Sequence, residues 1–171
     1  MHNLHRQILY STDDIGKSKT ITAADKLKKQ NEHTEFVLFN EMLTENNAEN
    51  IIAQFDVVVD GSDNFLTRYL VNDASVKLNK PLVYGSILKF EGQLAVFNYK
   101  GSKNLRDLFP EPPNPEDVPN CDENGVLGII PGIIGSYMAL KTICVILDKM
   151  VNENQLQLIN LLTGSHEVLT F

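Results

Sequence analysis

The chain has 171 residues, of which 43% are hydrophobic and 22% charged, ordinary proportions for a globular protein with one sizeable core. A formal charge of -7 argues against a nucleic-acid partner, since phosphate binding needs a basic face, and Lys17, Lys19, Lys26, Lys28 and Lys29 read as solvated charge around one helix. Two cysteines, Cys121 and Cys144, are too few for a disulfide framework or a four-cysteine zinc site and suit a reducing compartment.

Met1 to Gln7 has neither the apolar core nor the cleavage site of a signal peptide, so a cytoplasmic chain is the expectation. The first helix is predicted from Asp14 to Gln30, with Ile15, Ile21, Ala24 and Leu27 at helical spacing. Thr34 to Leu38 reads as a strand, and Glu45 to Gln54 as a short helix with Ala48, Ile51 and Ile52 on one side. Asp56 to Asp60 is a β-branched run without alternation, the pattern of a strand buried on both faces of a parallel sheet. Gly61-Ser62-Asp63 breaks it, Asn64 to Asn79 forms the next helix, and Pro81 to Ile87 another strand.

Strand–helix–strand alternation of this kind predicts right-handed βαβ crossovers and an α/β fold. Gly92 to Tyr99 is then expected to pair antiparallel with its neighbour. Lys100 to Gly125, with five prolines, is expected to be a mobile crossover loop within a single domain covering 1–171. A long apolar helix follows from Leu127 to Asp148, and two strands, Gln155 to Leu162 and His166 to Phe171, close a hairpin around Thr163-Gly164-Ser165. The apolar run from Val126 to Leu147 holds Gly128, Pro131, Gly132, Gly135 and Lys141, which argues against a bilayer span, and no membrane partner is expected.

In an open parallel sheet, ligands bind beyond the carboxyl ends of the strands. The strand ending at Asp60 delivers Gly61-Ser62-Asp63-Asn64 to that edge, where Asp63 suits a magnesium ion beside a triphosphate. A helix cap by Ser62 or Asp63 explains the same residues and, taken alone, is the better account. Arg6 has the fork, and Lys19 the point charge near a helix start, to hold phosphate; as isolated residues both also read as solvated surface cations.

The order of these segments carries more. Asn3-Leu4-His5-Arg6-Gln7, Gly16-Lys17-Ser18-Lys19, Asp60-Gly61-Ser62-Asp63-Asn64-Phe65 and Arg68 to Asp73 follow one another in the chain. Gly85-Ser86, Glu91-Gly92-Gln93, Leu108 to Pro113 and Cys121 to Gly128 come after them. This series resembles the ThiF/MoeB/HesA family, relatives of the ubiquitin-activating enzymes, over essentially the whole chain. The resemblance implies a Rossmann-like, mostly parallel sheet with antiparallel C-terminal strands. It also implies ATP with Mg²⁺, and adenylylation of the C-terminal glycine of a ubiquitin-like sulfur-carrier protein ending in Gly-Gly, for thiamine or molybdopterin synthesis. Arg6 and Lys19 match the family's phosphate-contacting cations, and Asp63 its magnesium-supporting aspartate. Asn3, Gln7, Asn64 and Arg68 fall on nucleotide-site positions. Cys121 matches a family cysteine of sulfur or thioester chemistry, although an unreactive loop thiol fits the sequence as well.

Three departures qualify this. The family normally opens with a βαβ unit carrying a glycine-rich turn, whereas this sequence starts at the Asn-Leu-x-Arg-Gln segment, so the N-terminal βαβ unit is expected to be missing, the nucleotide site incomplete and this chain alone inactive or nearly so. Zinc-binding relatives have a Cys-x-x-Cys pair where Asn104 and Asp107 stand, so no structural zinc is expected. No rhodanese-like extension is expected, so any persulfide is expected to come from elsewhere. A homodimer, or another chain covering an exposed sheet edge, is expected from the same reasoning. A docking module that binds the carrier protein without catalysis is the competing expectation.

Overall fold

The computed structural model describes residues 4–114 and 126–171, and it divides into two compact units, 1–42 and 43–171.

In the first unit the helix starts later than the periodicity predicts. Thr12–Asp14 form a single 3₁₀ turn, and α1 runs over Lys19–Gln30. Asp14 is the reason. Its carboxylate accepts from the Ser11 amide at 2.8 Å and from the Ser11 hydroxyl at 3.0 Å, and it pairs with Lys26, so its side chain closes a turn. These partners hold the Asp14 carboxyl well below the usual carboxylate range, the Lys26 contact contributing most. Gly16 then takes φ +84°, a left-handed conformation that interrupts the helical path, and α1 begins after Ser18. Thr34 to Leu38 forms no strand. Among the described residues nothing pairs with it, and a strand without a neighbour leaves its amides and carbonyls unmatched.

In the second unit α2 (Ala48–Ile52) precedes β1 (Val58–Asp60), α3 (Phe65–Lys77), β2 (Leu82–Leu88) and β3 (Glu91–Phe97). The short helix α4 (Leu105–Leu108) lies inside the segment expected to be loop, α5 spans Ile129–Ile146, and β4 (Gln155–Asn160) and β5 (Ser165–Thr170) form the closing hairpin. The sheet order is β1-β2-β3-β4-β5. The α/β class and the antiparallel C-terminal strands are as expected. The sheet is mixed where a mostly parallel one is expected: among the described residues one pair, β1 with β2, is parallel and the other three are antiparallel.

Alternation along β2 and β3 builds two cores. Val83, Leu94 and Val96 face α5 and meet Ile130, Ile134, Met138 and Val145. Leu82, Tyr84, Ala95 and Phe97 face the opposite way and pack with Tyr69 and Val71 of α3 and Leu105 of α4. Strand period 2 thus puts helices on both faces of one sheet. Cys144 is half-buried against the first core.

Two glycines set how closely α5 approaches. A Cβ on Gly85 would lie 2.1 Å from Met138 Sδ, and one on Gly92 would lie 2.1 Å from Ile134 Cδ1. The outer side of α5 exposes Ile129, Leu140, Ile143 and Ile146. By length and composition alone this helix is apolar enough to cross a bilayer; here its other side is seated on the sheet. Gly92→Ala is expected to destabilise the fold by about 1–3 kcal/mol, because stiff, buried Ile134 must move, as measured by urea denaturation.

Candidate functional site

The carboxyl end of β1 is the best-defined site in the second unit. Asp60, the last residue of β1, is 5% exposed, and its Oδ1 accepts from the Ser62 amide at 2.8 Å. That bond bends the chain directly after the strand. Asp60 Oδ2 and Ser62 Oγ are buried without a hydrogen-bond partner among the described residues.

Asn64, not Ser62 or Asp63, caps α3: its side chain accepts from the Thr67 amide at 2.8 Å. The cap explanation is therefore satisfied by a neighbour, and Asp63 is left exposed with no hydrogen bond or ion pair among the described residues. Asn64 contributes to the site by starting the helix. As a ligand for nucleotide its carbonyl oxygen is already engaged.

Arg68 is placed differently from the expectation of a ligand contact. It is 6% exposed, with Nη2 donating to the Ser62 carbonyl at 2.6 Å and Nη1 to the Tyr84 hydroxyl at 2.8 Å. The guanidinium carbon lies 5.2 Å from the Tyr84 ring centroid and 5.8 Å from that of Phe65. A buried cation needs such company, and these contacts turn it inward onto the turn.

In the first unit Lys19 is exposed and is the first residue of α1, while Arg6 and Gln7 are half-buried. The Ser18 hydroxyl donates to Asn40 Oδ1 at 2.6 Å and does not cap α1, so its first-turn amides lack a side-chain cap among the described residues. The Tyr10 hydroxyl donates to the Lys19 carbonyl at 3.0 Å, and Arg6 Nη1 lies 3.3 Å from His5 Nε2. A helix start of this kind, with a lysine on it, attracts anions. Asn3 and Cys121 lie outside the described residues, as does 115–125 of the expected crossover loop.

A second cluster fixes the beginning of that segment. Arg106 forms a forked pair with Asp73, Nε to Oδ1 at 2.7 Å and Nη2 to Oδ2 at 2.8 Å, and its Nη1 donates to the Pro110 carbonyl at 2.9 Å. Its guanidinium stacks 4.8 Å from the Tyr69 ring centroid. The Tyr69 hydroxyl lies within hydrogen-bond reach of the carbonyls of Phe109 (2.9 Å) and Glu111 (2.8 Å), and Asn72 Oδ1 accepts from the Leu105 amide at 3.0 Å. Asn104 and Asp107, at the positions of the zinc-binding pair in relatives, form a capping box on α4, with the Asn104 amide donating to Asp107 at 2.7 Å.

Among the described residues no three His, Cys, Asp or Glu side chains gather to hold a metal. A hard cation at the β1 edge would therefore take Asp63 as its carboxylate and draw further oxygens from substrate and water, which is how Mg²⁺ is usually held. Asp60, Tyr84, Asp73 and Arg106 were not singled out from the sequence. Asp60 stood at the strand end where an acid is informative, but nothing in linear spacing links Arg68 to Tyr84, or Asp73 to Arg106.

Comparison with known proteins places the chain. The ThiF family profile matches residues 1–170. The adenylyltransferase and sulfurtransferase MOCS3 of Culex quinquefasciatus is 50% identical over 145 residues, covering 85% of this chain and 33% of that protein. The sulfur carrier protein adenylyltransferase of Thermus thermophilus is 47% identical over 150 residues, covering 85% of this chain and 55% of that protein. The chain thus spans a third to just over half the length of these relatives. The crystal structure of E. coli MccB with ATP shares the fold, with TM-score 0.75 and 17% identity over 98% of this chain and 52% of that one.

The forked pair predicts an acid response. Its hydrogen bonds from Arg106 hold the Asp73 carboxyl below its usual value, so the stability it adds is present above the unfolded value near ~4 and drains as pH falls through the lower folded value. Asp73→Asn is expected to flatten this part of the acid unfolding curve below about pH 4, as followed by circular dichroism.

Proposed function

This chain belongs to the ThiF family, and from that premise we propose that its function is ATP-dependent adenylylation of the C-terminal glycine of a ubiquitin-like sulfur carrier. The observation that carries this reading is the β1–α3 turn: Asn64 takes the helix cap, the buried groups hold Ser62, and Asp63 is exposed with its carboxylate uncommitted among the described residues. Two relatives about half identical to the chain bear adenylyltransferase names, which supports the same reaction.

The carrier's carboxylate oxygen attacks the α-phosphorus of ATP, forming an acyl–phosphate bond as the α–β bridging bond breaks and pyrophosphate leaves with the electron pair. Such chemistry is governed by positioning and by neutralising phosphate charge. Asp63 would hold Mg²⁺, which supplies that neutralisation when bound. Arg6, Gln7 and Lys19, the last at an open helix start, would serve the phosphates. Cys121 would take up the activated acyl group afterwards, its thiolate forming a thioester at the carbonyl carbon as the acyl–phosphate bond breaks and AMP leaves.

The expected homodimer would be formed through the outer face of α5, whose exposed Ile129, Leu140, Ile143 and Ile146 are costly in water. Leu140→Glu is expected to shift the sedimentation coefficient from dimer to monomer; a wild-type monomer would dismiss this interface.

Pyrophosphate exchange into ATP, driven by a carrier ending in Gly-Gly, tests the reaction. Asp63→Ala is expected to lower the exchange rate by roughly a hundredfold, the usual loss when one charge-stabilising group is removed. Carrier binding by the wild-type chain without nucleotide binding would instead identify a docking module. Cys121→Ser in the same assay assigns the thiol: exchange that survives restricts it to the transfer step, and exchange that disappears places it earlier.

A further inference from the structure

Both polar backbone groups of Ser62 are tied to buried side chains. The amide donates to Asp60 Oδ1 at 2.8 Å, and the carbonyl accepts from Arg68 Nη2 at 2.6 Å. Asp60 and Arg68 are 5% and 6% exposed, and Tyr84, 3% exposed, accepts from the other Arg68 nitrogen at 2.8 Å. The three side chains come from the end of β1, from α3 and from the middle of β2, where Asp60 and Tyr84 are cross-strand partners in the parallel register. One residue beyond Ser62 stands exposed Asp63, and one beyond that Asn64 begins the helix. The two peptide units that flank the Ser62 Cα are each held by one of these bonds, so neither plane rotates freely and the chain direction at Asp63 is set by groups that solvent does not reach.

We propose that Asp60 and Arg68, braced by Tyr84, are positioning residues that aim Asp63 at the metal–triphosphate end of the nucleotide. The proposal rests on the adenylylating reading for its purpose, but the grip itself is a property of the turn. It also accounts for a buried arginine that has no carboxylate ion-pair partner among the described residues: its donors serve a carbonyl and a phenol, and two ring faces take up its charge. Asp60 acts here through its acceptor oxygen, so an uncharged acceptor of the same shape should serve nearly as well.

The test uses the whole chain with two readings on the same samples: amide hydrogen exchange at Ser62 and Asp63, and affinity for Mn²⁺–ATP followed by the manganese signal. Asp60→Ala is expected to speed exchange at the Ser62 amide by roughly fivefold or more, the worth of an ordinary hydrogen bond, and to weaken Mn²⁺–ATP by a similar factor. Asp60→Asn keeps a carbonyl acceptor and is expected to recover most of both losses, while Tyr84→Phe, which removes only the brace hydroxyl, moves both in the direction of Asp60→Ala by less. Unchanged Ser62 exchange in Asp60→Ala overturns the proposal. So does an Asp60→Asn chain that restores the exchange but not the affinity, since the carboxylate charge would then touch metal or nucleotide directly. If the wild-type chain binds no Mn²⁺–ATP, the adenylylating reading falls for this chain taken alone and the docking module takes its place. The exchange rates then still uphold the grip, or overturn it.

Discussion

The buried guanidinium of Arg68 is the constraint around which this half of the molecule is arranged. It lies between the turn after β1 and the phenol of Tyr84 on β2, and the helix that carries it begins only three residues earlier. A cation in such a place must be satisfied on several sides, and each partner comes from a different element. Strand, turn, helix and neighbouring strand are thereby brought to one point, and that point is the carboxyl edge where an α/β sheet offers its ligands room. The two-sided sheet serves this arrangement. Phe97 and Leu82 on one face and Val83 and Leu94 on the other are essentially inaccessible, so the strands beneath the turn have solid packing above and below.

Much of this was legible because local chemistry and tertiary packing agree in the second unit. The β-branched run ending at Asp60 does form a strand, but β1 covers only Val58–Asp60 at one end of the sheet order, and Val59 is 50% exposed where burial on both faces is expected. The glycine, serine and asparagine after it yielded a turn and a helix cap, although the capping residue is Asn64 where Ser62 or Asp63 was expected. The antiparallel return of β3 and the closing hairpin also follow from their turn residues.

The first unit was read less well, for a physical reason. The periodicity of Ile15, Ile21, Ala24 and Leu27 favours a helix from Asp14, but a carboxylate with two local hydrogen bonds and a lysine partner prefers to close a turn. Thr34 to Leu38 has strand composition, yet pairing is decided by neighbours and not by composition. In the site, Asp63 could be named from its place at a strand end. The inward turn of Arg68 could not, because its two partners lie at distances in sequence of six and sixteen residues. An arginine in an apparent phosphate motif is as able to serve the scaffold as the ligand.

The capping box on α4 has a consequence for how this part of the chain comes together. Where zinc-binding relatives place thiolates, Asn104 and Asp107 complete each other's bonds within four residues. A thiolate knot must wait for a metal ion and for its remaining ligands, and it comes apart under oxidants and chelators. A box closed by adjacent side chains needs no delivery step, and it lowers the cost of a four-residue turn that is too short to persist without packing. That packing comes when Asn72 and Asp73 of the already synthesised α3 dock against it.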